Sequence, residues 1–229
     1  SVTEVARRGK FLWLGLDGEE EAIALHLGMS GQLLHHGGQT ATPSHLAAVL
    51  SLDDGSRLIF RDQRTFGWIR RAPLVPTADG APGGQGTERS LVPLPAAHIA
   101  RDPRDPHLDL PAVVARIRRS KVAIKALLLD QGVVSGIGNI YADETLFLAR
   151  VHPLRPGSSL SARTVARIIR TSAEVMGEAI AAHLAAGGDH GLAGGIDQGG
   201  DAAGLADRSD VLVDLSSPHA LDANLHAAI

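Results

Sequence analysis

Between Asp130 and Glu144 the chain reads DQGVVSGIGNIYADE, with Gly132, Gly136 and Gly138 closing on an asparagine, Asn139. Each glycine lowers helix propensity by up to about 1 kcal/mol relative to alanine, yet apolar, helix-like runs lie on both sides. One glycine suffices for a turn. A cluster ending in asparagine has a chemical use: a glycine turn lets backbone N–H groups approach an anion. An asparagine at the following helix N-terminus adds its amide beside the positive end of the dipole. That geometry grips a phosphate. The competing reading is a corner between two helices whose glycines only permit close crossing, and the local pattern leaves both open.

Charge bears on the choice. The net charge of −3 has the wrong sign for a nucleic-acid partner, but it is unevenly spread. From 112 to 170 there are ten Lys/Arg (116, 118, 119, 121, 125, 150, 155, 163, 167, 170) against three acids (130, 143, 144). From 187 to 229 there are seven Asp and one Arg. Ten cations on helices can be an ordinary solvated surface or a phosphate-facing one. Their concentration around the glycine cluster makes the second reading worth pursuing.

The elements that must position these residues follow from hydrophobic periodicity. Residues 5 to 71 alternate as short strands, KFLWLGL, AIALHLG, GQLLHH, LAAVLSL, RLIFRD and FGWIRR, with DDGS at 53–56 as a hairpin turn. Such a run predicts an antiparallel sheet or sandwich. Residues 76–111 are rich in Pro and Gly and read as a linker or loop. Residues 112–186 read as helical, with Val113, Val114, Ile117, Ile124, Leu127 and Leu128 on one apolar stripe ended by Gly132 at a C′ position. Asn139 is expected to cap the next helix, and Ser161 a third that carries Val165, Ile168, Ile169 and Met176. Residues 187–229, acidic and rich in Gly and Ala, are expected to be poorly ordered.

Composition removes several classes. Aromatics make up 3%, too few for an extended base-stacking platform. No Cys is present, so neither disulfides nor a thiolate zinc site can form, and a cytoplasmic protein is expected. No apolar run reaches membrane-spanning length. The chain has no initiator Met and enters a strand almost at once, as though it began inside a domain.

The segment KVAIKALLLDQGVVSGIGNIYADETLFLARVHPLRPGSSLS closely resembles the helix–two-turn–helix (H2TH) module of bacterial formamidopyrimidine-DNA glycosylases. RRGKFLWL, LHLGMSGQLL, DQRTFGWIR and HIARDPRDP resemble the same family in the same order, over residues 5 to 186. The resemblance implies an α+β fold of two domains. An incomplete N-terminal antiparallel β-sandwich (1–75) is followed, after the 76–111 loop, by an all-α H2TH domain (112–186) and the acidic tail (187–229). It implies a base-excision-repair DNA glycosylase/AP lyase acting on oxidised purines, 8-oxoguanine and formamidopyrimidines. The implied partner is double-stranded DNA with such a lesion or an abasic site, met by a monomer in the bacterial cytoplasm, at the nucleoid and off the membrane.

Residue roles come with the motifs. Asn139 and Lys125 would hold phosphates of the damaged strand, beside the backbone of Gly136 and Gly138. Lys10 resembles the family's lysine at the lesion phosphate, the one catalytic residue assigned, and His26 resembles a DNA-contacting histidine. Met29, Arg64 and Phe66 resemble three wedge residues that fill the gap left by a flipped nucleotide. An apolar chain, a flat cation and an aromatic ring can replace lost stacking and hydrogen-bond the orphaned base. Taken without the motifs, Met29 and Phe66 would be core residues and His26 a half-buried strand residue.

Two departures accompany the match. The family's nucleophile is an N-terminal proline followed by glutamate, whereas Ser1-Val2-Thr3-Glu4 matches the middle of the N-terminal domain. About 50 to 60 residues of the pattern are thus expected to be missing, judged from domain sizes. The family's C-terminal four-Cys zinc finger also has no counterpart, so no cofactor is expected in this chain. The alternative reading is a non-catalytic damaged-DNA-binding protein that keeps the H2TH phosphate grip.

Overall fold

Alternating apolar side chains build the first part of the chain into two antiparallel sheets. The computed structural model describes residues 2–18, 20–37, 44–185 and 210–212. Two compact units are formed, Ser1–Ala97 with Ala179–Ile229, and His98–Glu178. The strands are β1 (Val2–Arg8), β2 (Phe11–Leu16), β3 (Glu21–His26), β4 (Gly31–His36), β5 (Leu46–Ser51), β6 (Arg57–Asp62), β7 (Trp68–Pro76), β8 (Leu91–Pro93) and β9 (Asp210–Leu212). One sheet runs β1-β2-β3-β7-β8 and the other β5-β6-β4-β9.

The core lies between them. Val5, Leu12, Leu14, Leu25 and Leu27 meet Leu33, Leu58 and Phe60, all buried, and each contributes on the order of 1.5–3 kcal/mol by leaving water. The DDGS turn closes the β5–β6 hairpin: Gly55 takes φ +86°, and Asp54 Oδ1 accepts from Ser56 N–H (2.8 Å) and its hydroxyl (2.6 Å).

The stretch expected to be a linker behaves differently over its first half. Residues 76 and 91–93 belong to β7 and β8, and Gln85 pairs with Arg7 by two backbone bonds of 2.9 Å. The glycines of APGGQGTE serve close approach. A Cβ on Gly84 would lie 2.9 Å from the Trp13 ring, and Gly86 takes φ +88° against β1. Thr87 Oγ1 donates to Glu4 Oε2 at 2.6 Å. Glycine frequency alone suggested flexibility; close packing against β1, and for Gly83 against Leu91 of β8, is what these glycines allow.

The second unit is helical: α1 (Leu110–Arg118), α2 (Ile124–Leu129), α3 (Asn139–Leu148) and α4 (Ala162–Ala185). The single stripe expected from Val113 to Leu128 is split between α1 and α2. Residues 120–122 instead take partners across the chain, Ser158 N–H to Ser120 C=O (2.8 Å) and Gly157 N–H to Val122 C=O (3.0 Å). Both halves still bury their apolar side, so the stripe was correct and its continuity was not. Ser161 Oγ accepts from Thr164 N–H at the start of α4 (3.1 Å), and Val165, Ile168, Ile169 and Met176 are buried as expected. The expectation of poor order over 187–229 falls outside the described residues, apart from β9, whose backbone pairs antiparallel with β4. No helix among the described residues is long and apolar enough to cross a membrane.

Candidate nucleic-acid interface

Strand register gathers five of the sequence-derived residues at one end of the β unit. Lys10 sits in the two-residue β1–β2 turn, where Gly9 takes φ +56°. Phe11 pairs with His26, and His26 with Trp68, across three strands. His26 and Trp68 are stacked, with centroids 6.2 Å apart, while Phe11 meets His26 edge-on at 5.1 Å. Arg70 lies over the Trp68 ring, 4.4 Å from its centroid. The β3–β4 turn carrying Met29 and the β6–β7 loop carrying Arg64 and Phe66 leave the same end, because Gly31 faces Asp62 in the β4–β6 pair.

Asp62 binds these two turns to each other. Its carboxylate accepts from the Ser30 hydroxyl (2.8 Å), Arg64 N–H (3.2 Å) and Gly67 N–H (2.7 Å). Gly28 makes the crossing possible: it takes φ +64°, and a Cβ there would lie 2.7 Å from Gly67 N and the Phe66 carbonyl carbon. Thr65, a β-branched residue between Arg64 and Phe66, is held at φ +56°. That conformation is strained and persists only when its surroundings over-determine it. The loop therefore presents large apolar groups to solvent, Met29 at 57% and Phe66 at 61% exposure, with Arg64 also exposed. Met29 and Phe66 are not core residues.

The electrostatics fit this geometry. Burial pushes the Asp62 carboxyl up, but hydrogen bonds from Gly67, Ser30, Arg64 and Thr65 outweigh it and hold the group below its ordinary 3.8. Burial lowers the His26 pKa from its ordinary 6.5, and the Lys10 charge lowers it further. Gly28 N–H donates to His26 Nδ1 (3.0 Å), so the neutral ring keeps its proton on Nε2, a hydrogen-bond donor.

In the helical unit the glycine cluster is a turn between α2 and α3. Gly136 takes φ +83°; Gly132, expected at a C′ position, does not adopt a left-handed conformation, and α2 ends at Leu129 with Asp130 extended as its cap. Asn139 is the first helical residue, and Gly138, at φ −104° and ψ −177°, takes the cap position expected for it. No side-chain cap bond is made at the start of α3, where the first N–H groups have no partner within the helix, and Asn139 is exposed beside them. Lys125 of α2 is ion-paired with Asp143 of α3 at 2.7 Å, one helical turn from Asn139. The turn thus leads from Gly136 and Gly138 into Asn139, and Lys125 reaches the same helix through Asp143.

The ten cations counted between 112 and 170 differ in what holds them. Arg116, Arg118, Arg155 and Arg167 donate to backbone carbonyls of Gly132, Leu160, Ser159 and Ala149 at 2.6–3.1 Å, and Lys125 is paired. Those four arginines and the other five cations, Arg119, Lys121, Arg150, Arg163 and Arg170, are all exposed. An open cleft of about 650 Å³ along α4 includes Arg163, Arg167 and Arg170. Sequence reading missed Asp62, Ser30, Gln131 and Asp143; a carboxylate two residues before an exposed arginine in DQRTFG was the only available hint.

A structural zinc does not fit these residues: the sequence holds no Cys, and the described residues contain no group of three His, Asp or Glu able to hold a metal. The two units define the class, an α+β protein with an antiparallel sheet domain followed by a helical domain built around a glycine turn. Residues 1–69 match the formamidopyrimidine-DNA glycosylase N-terminal domain, and residues 99–187 match the H2TH domain of the same enzymes. The chain belongs to the formamidopyrimidine-DNA glycosylase family. It is 47% identical over 189 residues to the formamidopyrimidine-DNA glycosylase of Kineococcus radiotolerans, covering 78% of this chain and 61% of that protein. The Corynebacterium jeikeium enzyme is 48% identical over 177 residues, covering 77% and 61%. The MutM (Fpg) structure from Thermus thermophilus superposes with a TM-score of 0.63 at 34% identity, covering 79% of this chain and 60% of that one. The chain spans about 60% of the length of the curated relatives it matches.

Proposed function

We propose that this chain binds duplex DNA at damaged positions, and that the whole protein is a base-excision glycosylase/AP lyase acting on oxidised purines. The observation that carries this reading is the pinned pair of turns holding Met29 and Phe66 in solvent beside Arg64. Exposed apolar groups of this size, on backbone held by a buried carboxylate and a strained residue, suit insertion into a base stack. Extruding a nucleotide costs a few kcal/mol, about what wedge contacts and a flipped-base pocket can offset. Asn139, Lys125 and the α3 N-terminus would hold backbone phosphates, and Lys10 with the His26 Nε2–H would add contacts near the lesion.

Within these 229 residues we expect binding without Schiff-base chemistry, and no bound zinc. The nucleophile must be an amine that is neutral near pH 7. Glu4 is not free to assist one: Thr87 donates to it at 2.6 Å, and Arg89 lies 3.9 Å away. The chain is expected to act as a monomer.

The test combines binding and trapping on duplexes carrying 8-oxoguanine or an abasic site. Expected are an affinity that falls steeply with salt, a preference for the abasic duplex that Phe66→Ala removes, and no borohydride cross-link. A cross-link abolished by Lys10→Ala or by blocking the N-terminus would overturn the proposed lack of chemistry. Equal affinity for intact and abasic duplex would overturn the wedge.

A further inference from the structure

We infer that Gln131, which lies outside the residues proposed to touch DNA, is the positioning residue of the phosphate-gripping turn. The inference rests on the proposed grip and names what sets it. A turn written SGIG has two residues free to take many conformations, so something must select one. Three hydrogen bonds from a single amide do so. Gln131 Oε1 accepts from Gly136 N–H (2.9 Å), and its Nε2 donates to the carbonyls of Ile137 (3.1 Å) and Leu129 (3.0 Å). The Gln131 backbone is fixed in turn, its carbonyl accepting from Ala100 N–H at 2.9 Å.

The geometry has a directional consequence. Gly136 N–H is engaged by Gln131, so Gly136 contributes its left-handed backbone to the grip and no free donor. Pulling the Ile137 carbonyl toward Gln131 turns the N–H of Gly138 the opposite way, since a trans peptide places the two on opposite sides. The peptide entering α3 is thereby oriented with its donor away from Gln131, next to Asn139. Without the amide, the Ile137–Gly138 peptide can flip and offer an anion its carbonyl oxygen.

The test measures affinity of the full chain for a duplex carrying a tetrahydrofuran abasic analogue, by fluorescence anisotropy. Gln131→Met keeps the length and removes all three bonds; it is expected to weaken binding about tenfold, the size of one lost hydrogen bond to a charged group. On an Asn139→Ala background the same change is expected to have less than about a twofold effect, because coupled groups are not additive. Gln131→Glu is expected to bind poorly at pH 8 and to regain affinity relative to the parent as pH falls, since the neutral acid recovers one donor. This pH profile also serves if Gln131→Met fails to fold. A full tenfold loss on the Asn139→Ala background, an unweakened Gln131→Met, or a flat Gln131→Glu profile would each overturn the inference. Wild-type affinity in Asn139→Ala itself would instead overturn the phosphate grip on which it rests.

Discussion

The two candidate surfaces are built on opposite plans. The β unit presents side chains: Met29, Arg64 and Phe66 stand out from turns pinned by one carboxylate, at the expense of exposed apolar area and a strained Thr65. The helical unit presents backbone beside two polar side chains: α3 begins with no side-chain cap, its turn is set by a neutral amide and a glycine at φ +83°, and Asn139 and Lys125 add an amide and a cation. The first plan therefore tolerates loss of a presented side chain without loss of fold. The second tolerates no added side chain where its backbone bends. It also follows that one turn is set by a carboxylate, whose charge acid can remove, and the other by an amide, which does not titrate.

The largest expected effect comes from filling the space the β plan keeps empty. Gly28→Ala adds a Cβ 2.7 Å from the 66–67 backbone at a φ of +64°. A left-handed alanine costs about 1–2 kcal/mol and backbone overlap about 1–3 more, so a loss of about 3 kcal/mol in urea unfolding is expected. Phe66→Ala, on the same pair of turns, should change stability by less than about 0.5 kcal/mol, as for other exposed substitutions. If both variants unfold alike, the turns are not pinned as described.

Acid should separate the plans next. His26 and Asp62 both have folded pKa values below the ordinary ones, 6.5 and 3.8. The unfolded chain therefore takes up protons first. Stability is fully present above those values and is lost as pH falls through the folded ones, first for His26 and then for Asp62. Protonating His26 also removes the acceptor of Gly28 N–H. The chain's two tryptophans, Trp13 and Trp68, both lie in β strands, so their fluorescence reports the β unit alone. The denaturant midpoint followed by fluorescence should drop between pH 7.5 and 5.5. A flat midpoint would remove His26 from the account.

Much of this was legible in the sequence, for definable reasons. The strands from Phe11 to Pro76 announced themselves as short apolar runs between turn residues; β2 and β4 are buried on both faces and so carry little alternation. The glycines at 83, 84 and 86 misled because close approach to neighbouring backbone, of β8 for Gly83 and of β1 for Gly84 and Gly86, and flexibility use the same residue type. The stripe from Val113 to Leu128 ran through a break because Ile117 and Ile124 are seven apart, a spacing one helix or two can satisfy. Asn139 was assigned one position early because an extended Gly138 provides the cap backbone without a capping side chain. Asp62, hinted at only by its place in DQRTFG, and Gln131 were hard to read: each acts on backbone two to six residues away, and such contacts leave no periodic trace.

The smallest expected effect sharpens what the helical plan recognises. Lys125 Nζ meets Asp143 Oδ1 at 2.7 Å and Oδ2 at 2.8 Å, with the carboxylate 58% exposed. A pair so exposed adds little to stability, about 0–1 kcal/mol, so Asp143→Asn should fold normally. Two effects on DNA binding then compete. The carboxylate orients the lysine, which favours binding by saving the entropy of ordering one side chain. It also offsets the lysine's charge and repels a phosphate held one helical turn away at Asn139. At about 7 Å, and at effective dielectric constants between water and protein surface, that repulsion is on the order of 0.6–2.4 kcal/mol. Repulsion should win, and Asp143→Asn should bind duplex about threefold tighter at low salt, an advantage that shrinks as screening shortens the reach of the charge. Weaker binding in this variant would show instead that Asp143 aims Lys125 at the phosphate, and that the ion pair is part of the grip.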